Sequence, residues 1–512
     1  IDNEFGHEGS DLCHCDLCKK EFNEYLKEKY DNDINKLNET WGTIFWSQTY
    51  NTFEEIPLPK PTITTHNPSL RMEHERFRSV SIEKYAKFQV DLLKEILGKD
   101  SVIIHDFSGG YFDKSYDFSK VGKHMDVVAY NNYPVWGGQK EPIPAWEIAC
   151  GLDYMRGIKG QNFWITEAIM GAQGHDVIGY LPRPRQAKMW SYQGIAHGCS
   201  SLMYFRYRGA TKGAEQYCYG IIDQDNVKRR KFYEVQSFFK EMKENEALTQ
   251  SEVKSDVAVV YDYESMASFR IQRQSFLMDY KQEVYRLYRP FYKKNINMDV
   301  IPSDSDFDKY KVLLLPVMIV HKKEVQDKVR KFVSGGGTVV FTYRTAVKDY
   351  YNNLTLGQFN PTYYTDLVGG YVEEVESFQD DQVALLIGNE EFEGINGTAT
   401  VFRDMLKTTT AKTLFKYEDE FFEDLAAVTL NEYEGGKVYY IGSGADNTIM
   451  DAITNKIINE SNLDVIESEE GVEVVRRSLN NEDYYFVMNH TSDEKKFKNE
   501  ILKAYEAKIV KA

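Results

Sequence analysis

Basic residues are in short supply in this 512-residue chain: 62 Lys and Arg stand against 79 Asp and Glu, leaving a formal charge of −17. A phosphate backbone or an anionic membrane surface recruits a concentrated basic footprint, so neither nucleic acid nor membrane is expected as the main partner. The densest basic run, Lys228-Arg229-Arg230-Lys231, is short and leads into a helical pattern, and reads as a solvated helix start. No run of about eighteen uncharged apolar residues occurs, which excludes a membrane-spanning helix. Six Cys in so long a chain are too few for a disulfide framework, and reduced thiols favour the cytoplasm. Neither G-x-G-x-x-G nor G-x-x-x-x-G-K-S/T is present. The Gly335-Gly336-Gly337 run follows a helical pattern and precedes an apolar one, the place of a helix C-cap and turn rather than a phosphate cradle. No initiator Met precedes Ile1-Asp2-Asn3-Glu4-Phe5-Gly6, so a signal peptide is neither seen nor excluded.

Aromatic side chains are plentiful: 36 Tyr and 29 Phe lift their share to 14%. Such rings floor sugar or base pockets, and they also fill large cores. The length accommodates two or three domains of about 100–200 residues each. Over the first 250 residues apolar β-type runs (101–107, 126–134, 162–167, 201–208) alternate with helical spacing (19–30, 71–98, 229–248), which means an α/β fold with a parallel sheet and crossover helices. The runs close on polar groups, His105 and Asp106, Asn131 and Tyr133, Glu167, Arg206 and Arg208, as at the C-terminal rim of a (β/α)8 barrel. Counting 1–6 as a strand end gives five strands where a barrel needs eight. Residues 1–254 are therefore expected to form a TIM barrel lacking about its first three strands, the chain beginning inside the barrel. A second βα series reads as a doubly wound α/β domain over 255–465, with a β-rich insertion in 360–435. Residues 466–512 read as a small C-terminal β domain whose end is expected to be clipped.

Glu4 and Glu167 each close a strand pattern, so both carboxylates should face the mouth of one barrel. Glycoside hydrolysis needs two such groups, one held protonated to assist the departing oxygen and one to attack or stabilise the anomeric carbon. Two unrelated surface glutamates are the plain alternative among 79 acidic residues. The cluster Cys13-His14-Cys15-Asp16-Leu17-Cys18 offers three thiolates at a helix start, three of the four soft ligands of a structural zinc site at little loop entropy. Reduced cysteines that simply pack are the alternative. Residues 37–61 carry Trp41, Phe45, Trp46 and Tyr50 ahead of a Pro-rich stretch, which suits either a lid of rings over a sugar or a core.

The ordered set IDNEFG, C-x-C-x-x-C, LNETWGTIFWSQTY, NFWITE, and FRYR followed by GAEQYCYG resembles the family 42 glycoside hydrolases, bacterial β-galactosidases. The resemblance continues past the barrel into that family's amidotransferase-like trimerisation domain and small β domain. It implies Glu4 as general acid/base, Asn3 as the neighbour that binds the sugar 2-hydroxyl, and Glu167 as nucleophile, with Trp46, Tyr133, His175, Glu215 and Cys218 around the substrate. It also implies Cys13, Cys15 and Cys18 as three structural zinc ligands, the fourth expected ahead of residue 1, and no organic cofactor. Two positions depart from the family: Gly174-His175 stands where Asn-Trp is common, and Cys218 where His is common, so substrate choice is less fixed than reaction type.

The implied function is retaining hydrolysis of terminal β-D-galactosides, including oligosaccharides, by double displacement in a homotrimeric cytoplasmic enzyme. The rivals are the same machinery acting on an α-L-arabinopyranoside or β-fucoside and, for this polypeptide alone, an inactive sugar-binding or assembly scaffold, because an open part-barrel exposes sheet edges.

Overall fold

The computed structural model describes residues 1–6, 12–110, 112 and 114–512. Four parallel strands, β1 (Asp106–Phe107), β2 (Ala129–Asn132), β3 (Phe163–Ala168) and β4 (Cys199–Tyr204), pair in chain order. Helices Ala145–Gly157 and Gln186–Ala196 make the crossovers from β2 to β3 and from β3 to β4. Every residue of β2 is buried, as expected of a strand covered on both faces. The fifth expected strand is absent. Residues 1–6 run beside the approach to β1, but the backbone bond joining them is the one from Ile1 N to Ile104 O at 2.8 Å, and a ladder needs repeated pairs. The expected strand 101–107 shortens to β1 because Ile103 turns both backbone groups toward Asp126, its N–H to the carboxylate at 2.6 Å and its C=O to the Asp126 N–H at 2.9 Å.

Three helices, α1 (Asp16–Lys29), α2 (Ile34–Trp41) and α3 (Pro68–Leu97), surround a separate core of Phe22, Leu26, Tyr30, Leu37, Trp41 and Phe53. Their ends follow capping chemistry. Asp33 accepts the N–H groups of Asn35 and Lys36, Gly42 closes α2 at φ +61°, and Asn67 caps α3 with Pro68 in its first turn. Trp41 is a core ring whose Nε1 donates to Tyr30 Oη at 2.8 Å, so this part of the aromatic segment serves packing rather than a lid.

In the second unit β5 (Val257–Tyr261), β6 (Met298–Pro302), β7 (Val312–Leu315) and β8 (Thr338–Thr342) lie parallel in the order β6-β5-β7-β8, followed by parallel Gly436–Ile441. This is the flavodoxin-like strand order. The β-rich stretch does not form a separate body: strands Ala426–Tyr433, Lys412–Tyr417, Ala384–Gly388, Asn396–Thr408 and Gly370–Ser377, with the short Ser443–Ala445 beside Asn396–Thr408, extend the same sheet antiparallel, to 11 strands. The triple glycine begins at the C-cap of helix Lys323–Ser334, as its position implied. The last unit is a hairpin, Val472–Leu479 with Glu482–Asn489, turned by Asn480 and Asn481 at φ +53° and +63° and completed by Ala507–Lys511. Two consecutive left-handed Asn residues make a turn whose twist matches its strands.

Candidate active site

The site is built where β2 and β3 end. Asn131 is the register partner of Glu167, and strands so paired lie about 4.8 Å apart, so both side chains emerge at one rim. Tyr133, two residues on, donates its hydroxyl to Glu167 Oε2 at 2.5 Å. Asn131 Nδ2 donates to Glu4 Oε1 at 2.9 Å, while its Oδ1 accepts the Thr166 hydroxyl at 2.9 Å. One amide thus reaches the first carboxylate from the strand position beside the second.

The segment carrying Glu4 is held from below. The Glu4 N–H points to Asp106 Oδ1 at 3.4 Å, and Glu4 sits at φ +42°, a conformation a non-glycine residue keeps only when its surroundings impose it. His105 is fully buried, stacks on Phe5 at 4.1 Å, and bonds through Nδ1 to Asp2 O at 2.7 Å, while Nε2 faces the Phe5 N–H at 3.4 Å. Burial depresses its pKa to about 4, so the ring is neutral, with Nδ1 donating and Nε2 accepting. Gly6, at φ +70°, allows the close approach behind Glu4: a Cβ there would stand 2.7 Å from the Tyr116 ring.

Burial raises the Glu167 pKa above the ordinary carboxylate range; the Tyr133 hydroxyl opposes that rise, and the charges of Glu4, Asp106 and Glu215 add to it. Asp106 is raised chiefly by burial. Tyr133 is pushed far above the phenol range by burial and by Glu167, and stays protonated as a donor. This acidic cluster suits a neutral substrate that passes through a cationic, oxocarbenium-like transition state.

The loop after β3 supplies the wall. A Cβ on Gly174 would fall 1.8 Å from Val177 O, so only glycine lets the loop fold back here. The exposed His175 ring meets Trp136 edge-on at 5.5 Å, and Trp136 meets Tyr133 at 4.8 Å, making a row of rings from the neighbour of Glu167 to solvent. Cys218 is buried with Sγ 3.7 Å from Gly174 O, and burial raises its thiol pKa. Glu215 is ion-paired with Arg206, whose guanidinium lies 4.2 Å over the Phe205 ring. Glu167 and Tyr133 therefore meet directly and Glu4 is linked to them through Asn131, His175 and Cys218 share the adjoining loop, and Glu215 is tied to the end of β4. Asn3 is exposed beside Glu4. Trp46 is not brought in: it lies in the turn Phe45–Ser47, 59% exposed, stacked on Phe45 at 5.0 Å. Asp106, Asn131, Thr166, Trp136 and His105 were missing from the sequence-derived set, although Asp106, Asn131 and His105 shared its signal, a polar group closing an apolar run.

The thiols of Cys13, Cys15 and Cys18 lie within 4.8 Å of one another at the start of α1, and Cys15 Sγ accepts the Cys18 N–H at 3.4 Å. That bond and the neighbouring thiols lower Cys15 to about 7, while Cys13 and burial push Cys18 up to about 12. Three convergent sulfurs fit a thiophilic ion and leave one tetrahedral position for a further ligand. The cavity beside them, between α1 and α3, has a volume of about 1020 Å³. Its acidic groups line a helix face rather than strand ends, and we place the site by its chemistry rather than by volume.

Comparison with known proteins covers nearly the whole chain. The Beta-galactosidase family model matches residues 1–245, its trimerisation domain 255–464 and its C-terminal domain 471–512. Beta-galactosidase BgaA of Clostridium cellulovorans is 30% identical over 505 residues, spanning 97% of this chain and 74% of that protein. Beta-galactosidase LacZ of Heyndrickxia coagulans is 31% identical over 495 residues, spanning 96% and 72%. Among solved structures, β-galactosidase from Bacillus circulans sp. alkalophilus superposes with a TM-score of 0.91 at 27% identity, covering 100% of this chain and 77% of that one. The GH42 β-galactosidase Gan42B superposes with a TM-score of 0.91 at 27% identity, covering 100% and 78%.

Proposed function

The chain belongs to the family 42 β-galactosidases, glycoside hydrolases that cleave β-galactosides, and from that premise we propose that Glu167 is the nucleophile and Glu4 the general acid/base of a retaining double displacement. The observation that carries this assignment is the pairing of Glu167, at the end of β3, with Glu4, on the segment 1–6, through Asn131, the bond partner of Glu4 and register neighbour of Glu167. Tyr133 occupies Glu167 Oε2, leaving Oε1 to attack the anomeric carbon. As that bond forms, the glycosidic C–O bond breaks with its electron pair going to oxygen, which takes the proton of Glu4. The Glu4 carboxylate then removes a proton from water; the water oxygen attacks the same carbon, Glu167 departs as carboxylate, and the sugar leaves with its configuration retained.

In this reading Asn3, His175, Glu215 and Cys218 line the sugar. Residues 1–254, 255–465 and 466–512 divide the labour between catalysis, trimerisation and a β domain. The assembly is a cytoplasmic homotrimer acting on galactosides and oligosaccharides. Cys13, Cys15 and Cys18 hold a structural zinc, which when bound crosslinks the start of α1 and takes no part in the reaction.

Azide separates the two glutamate roles. Glu4→Ala should lose about 10²–10⁴ in kcat/KM on alkyl galactosides, less on dinitrophenyl galactoside, and give β-galactosyl azide. Glu167→Ala should give the α azide. A swap of the two azides reverses the assignment, and an α-configured first hydrolysis product from the wild type, seen by NMR, overturns retention.

A further inference from the structure

We propose that the cavity between helices Gln186–Ala196 and Arg230–Glu244 and the C-terminal strand Ala507–Lys511 is a second saccharide-binding site, and that its ligand is a neutral oligosaccharide. The inference goes beyond the catalytic assignment and stands whichever roles Glu4 and Glu167 take.

The cavity has a volume of about 490 Å³, and none of Glu4, Asn131, Tyr133 and Glu167 lines it. That size falls within the roughly 300–1,000 Å³ of small-molecule sites. Its two walls belong to different units. One carries Arg185, Lys188 and Glu241 and the other Glu500, Glu506 and Lys508, so three cations face three carboxylates. A lining balanced in this way has no net charge with which to draw in an ion.

It does set donors and acceptors side by side. Lys188 Nζ donates to Glu241 Oε1 at 2.6 Å and to Ser237 Oγ at 2.9 Å, and Lys508 Nζ to Glu500 Oε2 at 3.0 Å and to Ile501 O at 2.8 Å. Each ammonium keeps one N–H to give, and each carboxylate keeps lone pairs. Arg185 spends Nε on Ala504 O at 2.9 Å, and among the described residues its Nη groups have no acceptor. A sugar hydroxyl both donates and accepts, so hydroxyls on neighbouring ring carbons can bridge an ammonium and the carboxylate beside it.

Tyr505 supplies the apolar face. Its ring is half-buried in the lining, where it can stack on the C–H face of a pyranose. Tyr505 stands at φ +56° and Arg185 at φ +73°, a region that non-glycine residues seldom enter, and the bond from Arg185 to Ala504 ties the two turns together across the cavity. Both turns are also held from behind: the Tyr505 N–H donates to Thr491 O at 3.1 Å and the Arg185 N–H to Glu234 Oε1 at 3.0 Å. A lining fixed before the ligand arrives lowers the ordering cost of binding.

The chain belongs to a family that cleaves β-galactosides, so a galactotriose is the probe. The test is calorimetric titration of the full chain with thio-linked galactotriose, whose sulfur bridges resist hydrolysis. Two sites per chain are expected. Tyr505→Ala should weaken one of them by about tenfold, the loss of one stacked ring, and leave the other site and kcat/KM on nitrophenyl galactoside unchanged. Lys508→Met keeps the stem of the side chain, should weaken the same site, and covers the case in which Tyr505→Ala fails to fold. One site per chain, or two sites that neither variant alters, overturns the proposal. Tighter binding of trigalacturonate, the acidic counterpart, at the site these variants weaken overturns its neutral class. Because the thio-linked probe is not turned over, these outcomes do not depend on the catalytic assignment, which the azide products judge separately.

Discussion

At the scale of single residues, the ionisation of Glu167 is set by two opposed influences. Burial favours its neutral form, and the Tyr133 hydroxyl at 2.5 Å favours the charge that the nucleophilic role proposed for it needs. Tyr133→Phe removes the donor and leaves the burial. The carboxyl then holds its proton to higher pH, so the acid limb of kcat/KM should move up and kcat should fall by about tenfold or more, a loss of one charge-assisted bond. An acid limb that stays in place would show that another donor holds Glu167. Glu167, and Tyr133 one residue past β2, were legible in the sequence because a residue closing a buried strand has one place to point, the rim; Glu4 was reached through the motif it sits in, although its segment forms no strand. Their supports were less so. Asn131 reaches Glu4 across 127 positions, and nothing in either local sequence announces that bond. The neutral state of His105 is a product of complete burial, which its neighbours in sequence do not specify. Trp46 shows the converse: its composition fitted a sugar site, and its backbone, at φ +56°, turns it to solvent.

At the scale of elements, helix limits followed local rules and came out within a few residues, since Asp33, Asn67-Pro68 and Gly42 are cap signals that need no tertiary partner. Strand pairing depends on partners, which is why 1–6 failed as a strand and why the strands of 370–433 joined the parallel sheet instead of standing apart. The junctions between units are also invisible in sequence. His197, at the C-cap of helix Gln186–Ala196, lies between Asp153, 2.7 Å from Nδ1, and Glu473 of the C-terminal hairpin, 2.9 Å from Nε2. Arg156 shares Asp153 Oδ1 with His197, while Tyr288 donates to Asp153 Oδ2 and His490 bonds Glu473 Oε2. Opposite charge on both sides outweighs burial and raises His197 from 6.5 to about 9, and the helix C-terminus favours the same cation. Glu473 is lowered from 4.5 to about 2, held down by hydrogen bonds to His197 and His490. The imidazolium contribution is complete below the unfolded value of 6.5 and is lost as pH rises through about 9; the Glu473 contribution is complete above 4.5 and is lost as pH falls through about 2. Stability should therefore be highest near pH 4.5–6.5, with up to about 3 kcal/mol lost on the alkaline side. In His197→Gln, Tm should be lower at pH 6 and flatter from pH 6.5 to 9. An alkaline slope equal to the wild type's would place the titration elsewhere.

At the scale of the whole molecule, apolar surface is left where two loops meet. Ile44, Phe45 and Trp46 follow α2, and Leu354, Leu356 and Phe359 follow the loop fastened to it by Asn353, whose Nδ2 donates to Thr40 O at 2.8 Å. Leu356 is 98% exposed, and large apolar side chains exposed on two loops that are fastened together are costly in water unless another surface covers them. The homotrimer proposed above would be a ring of three copies, which uses a heterologous contact: this surface meets a different one on the next copy, and each is covered once the ring closes. The patch spans the first unit and the unit matched by the trimerisation family model, so a contact here would also fix the catalytic unit relative to the ring. Replacing Phe45 and Leu356 together by Asp sets two charges in that contact and touches none of the carboxylates of the active site. Light scattering should then show the mass falling from about 180 kDa for three copies to the 59.5 kDa of one, with the far-UV spectrum unchanged. A variant that keeps the trimeric mass would move the interface to another face of the α/β unit.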